Sequence, residues 1–220
     1  MITTIKHIRN MVHGLDTLVA LKDGSKVPAI NLDNAATTPP FKKVMDEIDR
    51  QLLLYGSIGR GNAGVPDSYE AGSPNYPGIV GMLKAAEILQ SIGFGYIRRC
   101  EQYLLRRTIN GLMRIPGVII YGDCRNIGDR VGVIPFNIKG YTPKEAADYL
   151  AGNCAIAVRH GAFCAHPYVS RLTGEAANGC EPPAGMVRAS FGIYTNDREV
   201  DVFLRVIAAM ASEVAGGNAG

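Results

Sequence analysis

The amino-acid sequence predicts an α+β fold in which helices pack on a small, largely antiparallel sheet. Apolar residues recur with helical spacing after residue 77, and the pattern changes to short β-branched runs after residue 117. The resulting order is helix, helix, strand, strand, helix, strand, strand, helix. The chain has 220 residues, of which 47% are hydrophobic, and is therefore long enough for one core with an appendage.

Composition and charge narrow the classes of function. The net charge of +3 is small and unclustered, which does not favour a nucleic-acid partner, and no apolar run predicts a membrane span. The N-terminus lacks the apolar region of a secretory signal. Five scattered cysteines without a CxxC pair indicate neither a disulfide framework nor a zinc site. We therefore expect a cytoplasmic protein in a reducing compartment.

The first third of the chain contains short elements and one clear boundary. The spacing of Ile5, Ile8 and Val12 predicts one face of a short helix. Residues 30–40 predict a very short strand that enters a small-residue turn, after which two prolines open a helix. Residues 56–66 are a glycine-rich break.

Two helices are predicted between this break and residue 113. The first starts near residue 77, and its inward face is predicted to consist of Ile79, Met82, Leu83, Ala86 and Leu89. The second starts near residue 96, and its predicted inward residues are Ile97, Cys100, Leu104 and Leu112. On this pattern Cys100 belongs to the core.

The C-terminal half alternates between strands and helices. Strands are predicted over residues 118–121, 131–138, 155–158 and 187–194. Thr142 and Glu145 form a capping box, and Asn196 caps a last helix. The inward residues of that helix are predicted to be Val200, Phe203, Leu204, Ile207 and Met210.

Cys164 is the first candidate for chemistry. It lies on a short Gly/Ala loop after an apolar strand, with Arg159 and His160 before it and His166 after it. Positive neighbours favour the thiolate, which is the reactive form of cysteine. The alternative is that Cys164 is a buried, inert thiol, because free cysteine often behaves as a small hydrophobe.

Other candidates also have two interpretations. Strand alternation places Arg188 and Ser190 opposite the apolar face. Arg188 therefore either binds a carboxylate through its planar guanidinium or is a solvated edge residue, and the same two alternatives apply to Arg159. Cys180 is either a resolving thiol or an incidental surface thiol. Residues 69–75 (YEAGSPN) precede a helix and either hold a phosphate or form a plain cap and turn.

Taken together, five segments resemble the cysteine desulfurases of the class V aminotransferase family, which use pyridoxal phosphate (PLP). The segments are residues 31–39 (NLDNAATTP), 55–61 (YGSIGRG), 69–75 (YEAGSPN), 158–167 (VRHGAFCAHP) and 186–195 (MVRASFGIYT). They occur in the family's order and cover nearly the whole chain.

The resemblance implies a role for each segment. Cys164 matches the residue that carries sulfur as a persulfide, and the substrate-binding residues are implied to be Arg188, Arg159, Asn34, Ala35 and Ala36. Ser73 is implied to reach the PLP phosphate across a dimer, and Arg60 to bind the cofactor. The implied partners are L-cysteine or a related amino acid and a sulfur-acceptor protein.

One departure from the family is large. The family's PLP domain would lie between residues 61 and 69, which only residues 62–68 join here. None of the eight lysines follows Ser-Gly-His, the setting of the family's Schiff-base lysine. We therefore expect an N-terminal arm (1–61), a short join (62–68), a C-terminal small domain of the PLP-dependent transferase fold (69–214) and a disordered tail (215–220). We expect no PLP chemistry from this chain alone.

Three hypotheses follow. The chain belongs to the cysteine desulfurase lineage and converts L-cysteine to alanine with sulfur on Cys164; or it is a non-enzymatic sulfur-relay or dimerisation module; or it is an inactive remnant. Leu52, Leu53 and Leu54 would lack the large domain as a partner, so we expect a homodimer or pairing with a full-length relative.

Overall fold

The computed structural model describes residues 4–52, 75–174 and 185–217. Its helices are α1 (Ile5–Met11), α2 (Lys42–Leu52), α3 (Tyr76–Ile92), α4 (Phe94–Leu112), α5 (Pro143–Cys154), α6 (His166–Thr173) and α7 (Asp197–Gly217). Its strands are β1 (Leu18–Ala20), β2 (Lys26–Pro28), β3 (Ile30–Asn31), β4 (Val118–Ile120), β5 (Val133–Ile138), β6 (Ile156–Ala157), β7 (Arg159–Gly161) and β8 (Met186–Ser190).

The main sheet is antiparallel and has the strand order β4-β5-β8-β7. Helices α4, α5 and α7 contribute apolar residues to the core that covers it. Phe136 of β5 and Phe203 of α7 are fully buried and meet edge to face, with ring centroids 5.7 Å apart. Edge-to-face packing suits the quadrupoles of the two rings. The predicted α+β class is confirmed.

A short strand from the N-terminal part enters the fold between two segments of the C-terminal part. β3 pairs in parallel with β6, and Asp33 forms a bridge with Ser190 at the end of β8. The backbone of Leu32 is bonded on both sides, since its N–H donates to Ala157 at 3.0 Å and its carbonyl accepts from Ser190 at 2.6 Å. β3 is thus a wedge at the point where β7 and β8 stop pairing.

Local sequence signals account for several helix boundaries. The predicted capping box of α5 is confirmed: Thr142 accepts from the Glu145 N–H at 3.2 Å, and Glu145 accepts from the Thr142 N–H at 2.8 Å. Asn196 and Glu199 exchange the same pair of bonds at the start of α7. Each box satisfies backbone donors that the first helical turn leaves free.

The predicted inward face of α3 is wrong. Ile79, Met82 and Leu83 are 51%, 71% and 59% exposed. The helix instead buries Gly81 against Ile48 of α2, and it buries Ile88 and Ile92 nearer its end. α3 is apolar around most of its circumference, so its periodicity could not distinguish the packed face from the exposed one.

Three smaller expectations also need correction. The last predicted strand ends at Ser190, because residues 192–195 form a turn in which Thr195 bonds Gly192 through both backbone and side chain. Cys100 is half-buried rather than a core residue. α7 continues to Gly217, which places part of the expected tail in the helix. In α7 itself, Val200, Phe203, Ile207 and Met210 are buried, as predicted.

Candidate functional site

Cys164 lies exposed on a tight turn between β7 and α6. The turn is closed by the Ala165 N–H, which donates to the carbonyl of Ala162 at 2.8 Å. Its two central residues, Phe163 and Cys164, have φ angles of +53° and +59°. A side chain in this left-handed region costs roughly 1–2 kcal/mol per residue. The fold therefore retains a strained backbone at the residues that expose the thiol. Strain kept at one site in this way favours a functional role for that site.

A small apolar cluster holds this turn from below. Ala162, Val169 of α6 and Met186 of β8 are buried together, and Phe163 packs against them. At the same end of the sheet, Gly185 approaches β7 so closely that an added Cβ would be 2.5 Å from the backbone of Gly161. This close backbone packing keeps the cysteine turn against β8.

Two arginines face each other where β7 and β8 stop pairing. Arg159 and Arg188 are direct cross-strand partners, an arrangement that is unfavourable for like charges. Asp33, which directly follows the β3 wedge, accepts from Nη2 of Arg188 at 3.1 Å and lies 3.0 Å from Nη2 of Arg159. One carboxylate therefore bridges both guanidinium groups and offsets their repulsion.

Arg188 also contacts the cysteine turn. Its guanidinium carbon lies 5.0 Å from the centre of the Phe163 ring, within the range of a cation–π interaction. The side chain is only 16% exposed, and its Nε is buried without a hydrogen-bond partner among the described residues. An unused buried donor on a charged group is rare and indicates a missing acceptor. A planar carboxylate has the geometry that a guanidinium edge can bind.

Asn34, Ala35 and Ala36 follow Asp33 on the same loop, and their polar groups are used within the protein. The Asn34 amide donates to the carbonyls of Asn31 at 2.9 Å and Ser190 at 3.2 Å, and the Ala35 N–H donates to Ser190 Oγ at 2.9 Å. These bonds hold Asp33 in register with β8. Any contact of this loop with a substrate remains a prediction.

Tyr194 completes the support of this loop. Its hydroxyl accepts from the Asn31 side chain at 3.0 Å and donates to Asn34 Oδ1. Burial raises the pKa of Tyr194, so the hydroxyl keeps its proton as a donor.

The other predicted positions are placed apart from this cluster or lie outside the described residues. Arg60, Ser73 and Cys180 lie outside. Asn75, the last residue of the predicted phosphate-binding segment, caps α3 by accepting from the Gly78 N–H at 3.1 Å. His160 and His166 are exposed, and neither forms a hydrogen bond with Cys164 in the described part of the chain.

Sequence reasoning missed two members of the site. The sequence indicates Asp33 only as part of a motif and Phe163 only as the neighbour of Cys164. A lone acid after the buried Leu32 was a signal for Asp33, but the register of the β3 wedge was needed to place it beside both arginines. The positive φ of Phe163 has no sequence signal, because aromatic residues rarely adopt it.

The residues present do not fit PLP. All eight lysines lie in the described ranges: seven are exposed, and half-buried Lys84 pairs with Glu87 at 2.9 Å on the surface of α3. None of them contacts the Arg159–Asp33–Arg188 cluster through a hydrogen bond or ion pair. A Schiff-base lysine must be positioned at the reacting carbon, so we derive no step through this cofactor.

The described residues contain neither a membrane-spanning helix nor a metal-binding cluster. No helix within residues 4–52, 75–174 and 185–217 is long and apolar enough to cross a membrane. In those same ranges, no group of three histidine, cysteine or acidic side chains is arranged to hold a metal ion.

Comparisons with known proteins agree with the resemblance seen in the sequence. The family model for class V aminotransferases matches residues 57–203. A probable cysteine desulfurase of Pyrococcus abyssi is 35% identical over 144 residues, which are 64% of this chain and 32% of the relative. A probable cysteine desulfurase of Mycolicibacterium paratuberculosis is 34% identical over 83% of this chain and 24% of its own length. The chain thus spans about a quarter to a third of these relatives.

Solved structures give the same result. The apo cysteine desulfurase of Thermococcus onnurineus superposes with a TM-score of 0.59 at 35% identity, over 67% of this chain and 34% of that one. A cysteine desulfurase of Escherichia coli superposes with a TM-score of 0.55 at 25% identity, over 68% and 34%. The matched family segment contains Arg159, Cys164 and Arg188, and this chain therefore belongs to the class V aminotransferase family, with cysteine desulfurases as its relatives.

Proposed function

We propose that this chain is a cysteine desulfurase-like protein that carries sulfur as a persulfide on Cys164. The observation that carries this proposal is the exposed Cys164 thiol on a strained turn whose other central residue, Phe163, packs on the guanidinium of Arg188. An accessible thiol suits sulfur transfer, because the attacking sulfur must reach the donor.

The step assigned to this chain is the receipt of sulfur. The Cys164 thiolate attacks the outer sulfur of a donor persulfide R–S–SH, so that a new S–S bond forms to Cys164. The S–S bond of the donor breaks, its electron pair leaves with R–S⁻, and the proton stays on the transferred sulfur. Arg188, with Arg159 beside it, binds the carboxylate of an amino acid such as L-cysteine. Release of sulfur from L-cysteine requires PLP and a lysine that a full-length relative would supply.

A sulfur-loading experiment tests this proposal. The chain is mixed with a full-length cysteine desulfurase, PLP and L-cysteine, and protein-bound sulfur is located by peptide mass spectrometry. We expect one added sulfur on Cys164 in the wild type and in Cys124→Ser, a matched thiol control. Cys164→Ser should lose it. Equal loading of wild type and Cys164→Ser would contradict the proposal. The chain alone with PLP and L-cysteine should release no alanine.

The domain division is part of the proposal. Residues 69–214 form the small domain, whose main core in the described residues is built from β4, β5, β8, α4, α5 and α7. Helix α3 packs in a second cluster with α1 and α2 of the arm. Residues 1–61 form the arm that supplies β3 and Asp33 to that domain.

A second candidate, a dimerisation module, is favoured by the exposed apolar face of α3. Ile79, Met82 and Leu83 lie uncovered by the described residues, and Leu52 at the end of α2 is also exposed, whereas Leu53 and Leu54 lie outside them. Contiguous exposed apolar side chains commonly mark an interface. We expect concentration-dependent association in sedimentation velocity, or binding to a full-length relative, and Met82→Glu should weaken either. A monodisperse monomer that binds no relative would contradict this candidate.

A further inference from the structure

We propose that Asp33 is a specificity-determining residue that sets the net charge of the arginine site and thereby selects ligands with a single negative charge. This inference rests on the proposed role of Arg188 as a carboxylate clamp. Asp33 is a residue that the sequence analysis did not single out. Its proposed role is to select ligands by their charge, which differs from the carboxylate binding proposed for Arg188.

The charges of the site add up to one positive unit. Arg159 and Arg188 contribute two positive charges, and Asp33 forms ion pairs with both, at 3.0 Å and 3.1 Å. In the described part of the chain no other carboxylate forms an ion pair with either guanidinium. One further anion would therefore neutralise the cluster, whereas a dianion would leave excess negative charge beside Asp33.

The backbone holds Asp33 in place when a ligand arrives. Its N–H donates to Asn31 Oδ1 at 2.9 Å, and its backbone bridges Ser190 in β8. The Asp33 side chain is only 19% exposed. A carboxylate fixed in this way stays part of the site and shares the arginines with the ligand.

Partial burial strengthens the effect of two of these three charges. Arg188 and Asp33 are 16% and 19% exposed, and solvent screens charges in such positions less than at an open surface, whereas Arg159 is 51% exposed. The Arg188 side chain keeps an exposed fraction of 16%, and we place the external carboxylate at that exposed part; its buried Nε lacks an acceptor among the described residues. At contact distance, one unit of site charge changes the preference for a dianion over a monoanion by about tenfold.

Two substitutions change the site charge in opposite directions. Asp33→Asn raises it to two positive units and keeps an acceptor of the same shape, while Arg159→Gln lowers it to zero. We expect the affinity ratio of malonate to acetate to rise about tenfold in Asp33→Asn and to fall by a smaller factor in Arg159→Gln, because the Arg159 side chain is 51% exposed and more strongly screened. Asp148→Asn, which removes an exposed carboxylate that pairs with Lys144 on α5, should leave the ratio unchanged.

The ratio is measured on the full chain labelled with ¹⁵N, at neutral pH and constant ionic strength. Acetate and malonate are titrated while the Nε–Hε resonance of Arg188, assigned with Arg188→Lys, is followed. A purely structural role for Asp33 would change stability without reordering the two ligands. Arg159→Gln provides a separate test if Asp33→Asn does not fold.

The outcomes separate this inference from the proposed function. Opposite shifts of the ratio in the two variants support it. Acetate binding with the same ratio in the wild type and in both variants overturns the role of Asp33 and leaves the carboxylate clamp standing. No response of Arg188 to either ligand overturns both the clamp and this inference, but not the sulfur loading of Cys164.

Discussion

The sheet with α4, α5 and α7 differs sharply from the α2–α3 pair. In the first region, Phe136 and Phe203 are fully buried, and helices and strands converge on one core. In the second, α2 buries no residue completely, and α3 leaves Met82 and Leu83 largely exposed. The described residues thus cover the apolar side chains of the first region. In the second region they leave apolar surface exposed.

Apolar residues therefore have different roles in the two regions. In the sheet region, apolar side chains account for stability within the chain, because they lose contact with water on folding. On α3, similar side chains contribute little to the free energy of unfolding of the chain alone. Exposed apolar side chains of this kind commonly mark an interface, and the proposed dimerisation would cover them.

The largest expected effect contrasts the two regions directly. Phe203→Ala should lower the free energy of unfolding by about 3–5 kcal/mol, because it leaves a cavity opposite Phe136. Met82→Ala should change it by less than about 0.5 kcal/mol. Urea unfolding measures both. A large loss in Met82→Ala would show that this face is covered in solution.

A smaller effect comes from two glycines with similar positive φ angles. Gly185 and Gly24 have φ angles of +86° and +84°, but only at Gly185 would a Cβ meet backbone, that of Gly161. Gly24→Ala should cost about 1 kcal/mol for strain. Gly185→Ala should cost about 1–3 kcal/mol more, because β7 and β8 must move apart. Equal losses of thermal stability would contradict the close packing of these strands.

At the strained cysteine turn, a glycine variant is expected to be more stable than an alanine variant. Cys164→Gly should be more stable than Cys164→Ala by about 1 kcal/mol, since glycine adopts positive φ without penalty. Cys124 is not among the described residues with positive φ. There the glycine variant should be no more stable than the alanine variant. Thermal unfolding of the four proteins checks the prediction, and an alanine variant favoured at position 164 would contradict the strain.

The smallest effect concerns the acid response of α2. Hydrogen bonds from Arg50, and secondarily from Gln51, lower the pKa of Glu47 from 4.5 to about 2. Because the folded-state pKa is depressed, the contribution of this carboxylate is present above pH 4.5 and is lost as the pH falls through about 2. Arg50→Gln should raise the pKa of Glu47 in an NMR titration. The pKa of Asp148, which Lys144 lowers through a hydrogen bond, should not move.

The same comparison shows what the sequence could predict. Helix starts were read from Thr142 with Glu145 and from Asn196 with Glu199, because caps are local hydrogen-bond patterns. The inward residues of α7 were also correct, since one face of that helix is clearly more apolar. Local chemistry therefore predicted most of the sheet region.

Features that depend on distant contacts could not be predicted. Asp33 meets Arg188 although the two are 155 positions apart in the sequence, and only the register of the β3 wedge brings them together. The packed face of α3 was missed because the choice between its two apolar faces depends on where α2 lies. Roles for Cys164 and Arg188 came from the family resemblance, and they stay predictions until the sulfur-loading and ligand titrations are performed.

The β3 wedge also has a consequence for the order of folding. Bringing residues so distant in sequence together carries a loop-closure entropy that local helices such as α4 and α5 do not incur. We infer that the sheet region orders first and that the arm docks afterwards. The Leu32 and Ser190 amides should then exchange with deuterium earlier than those of β5. The arginine site, and with it any ligand selectivity, would form only when the segment that carries Asp33 has docked beside β8.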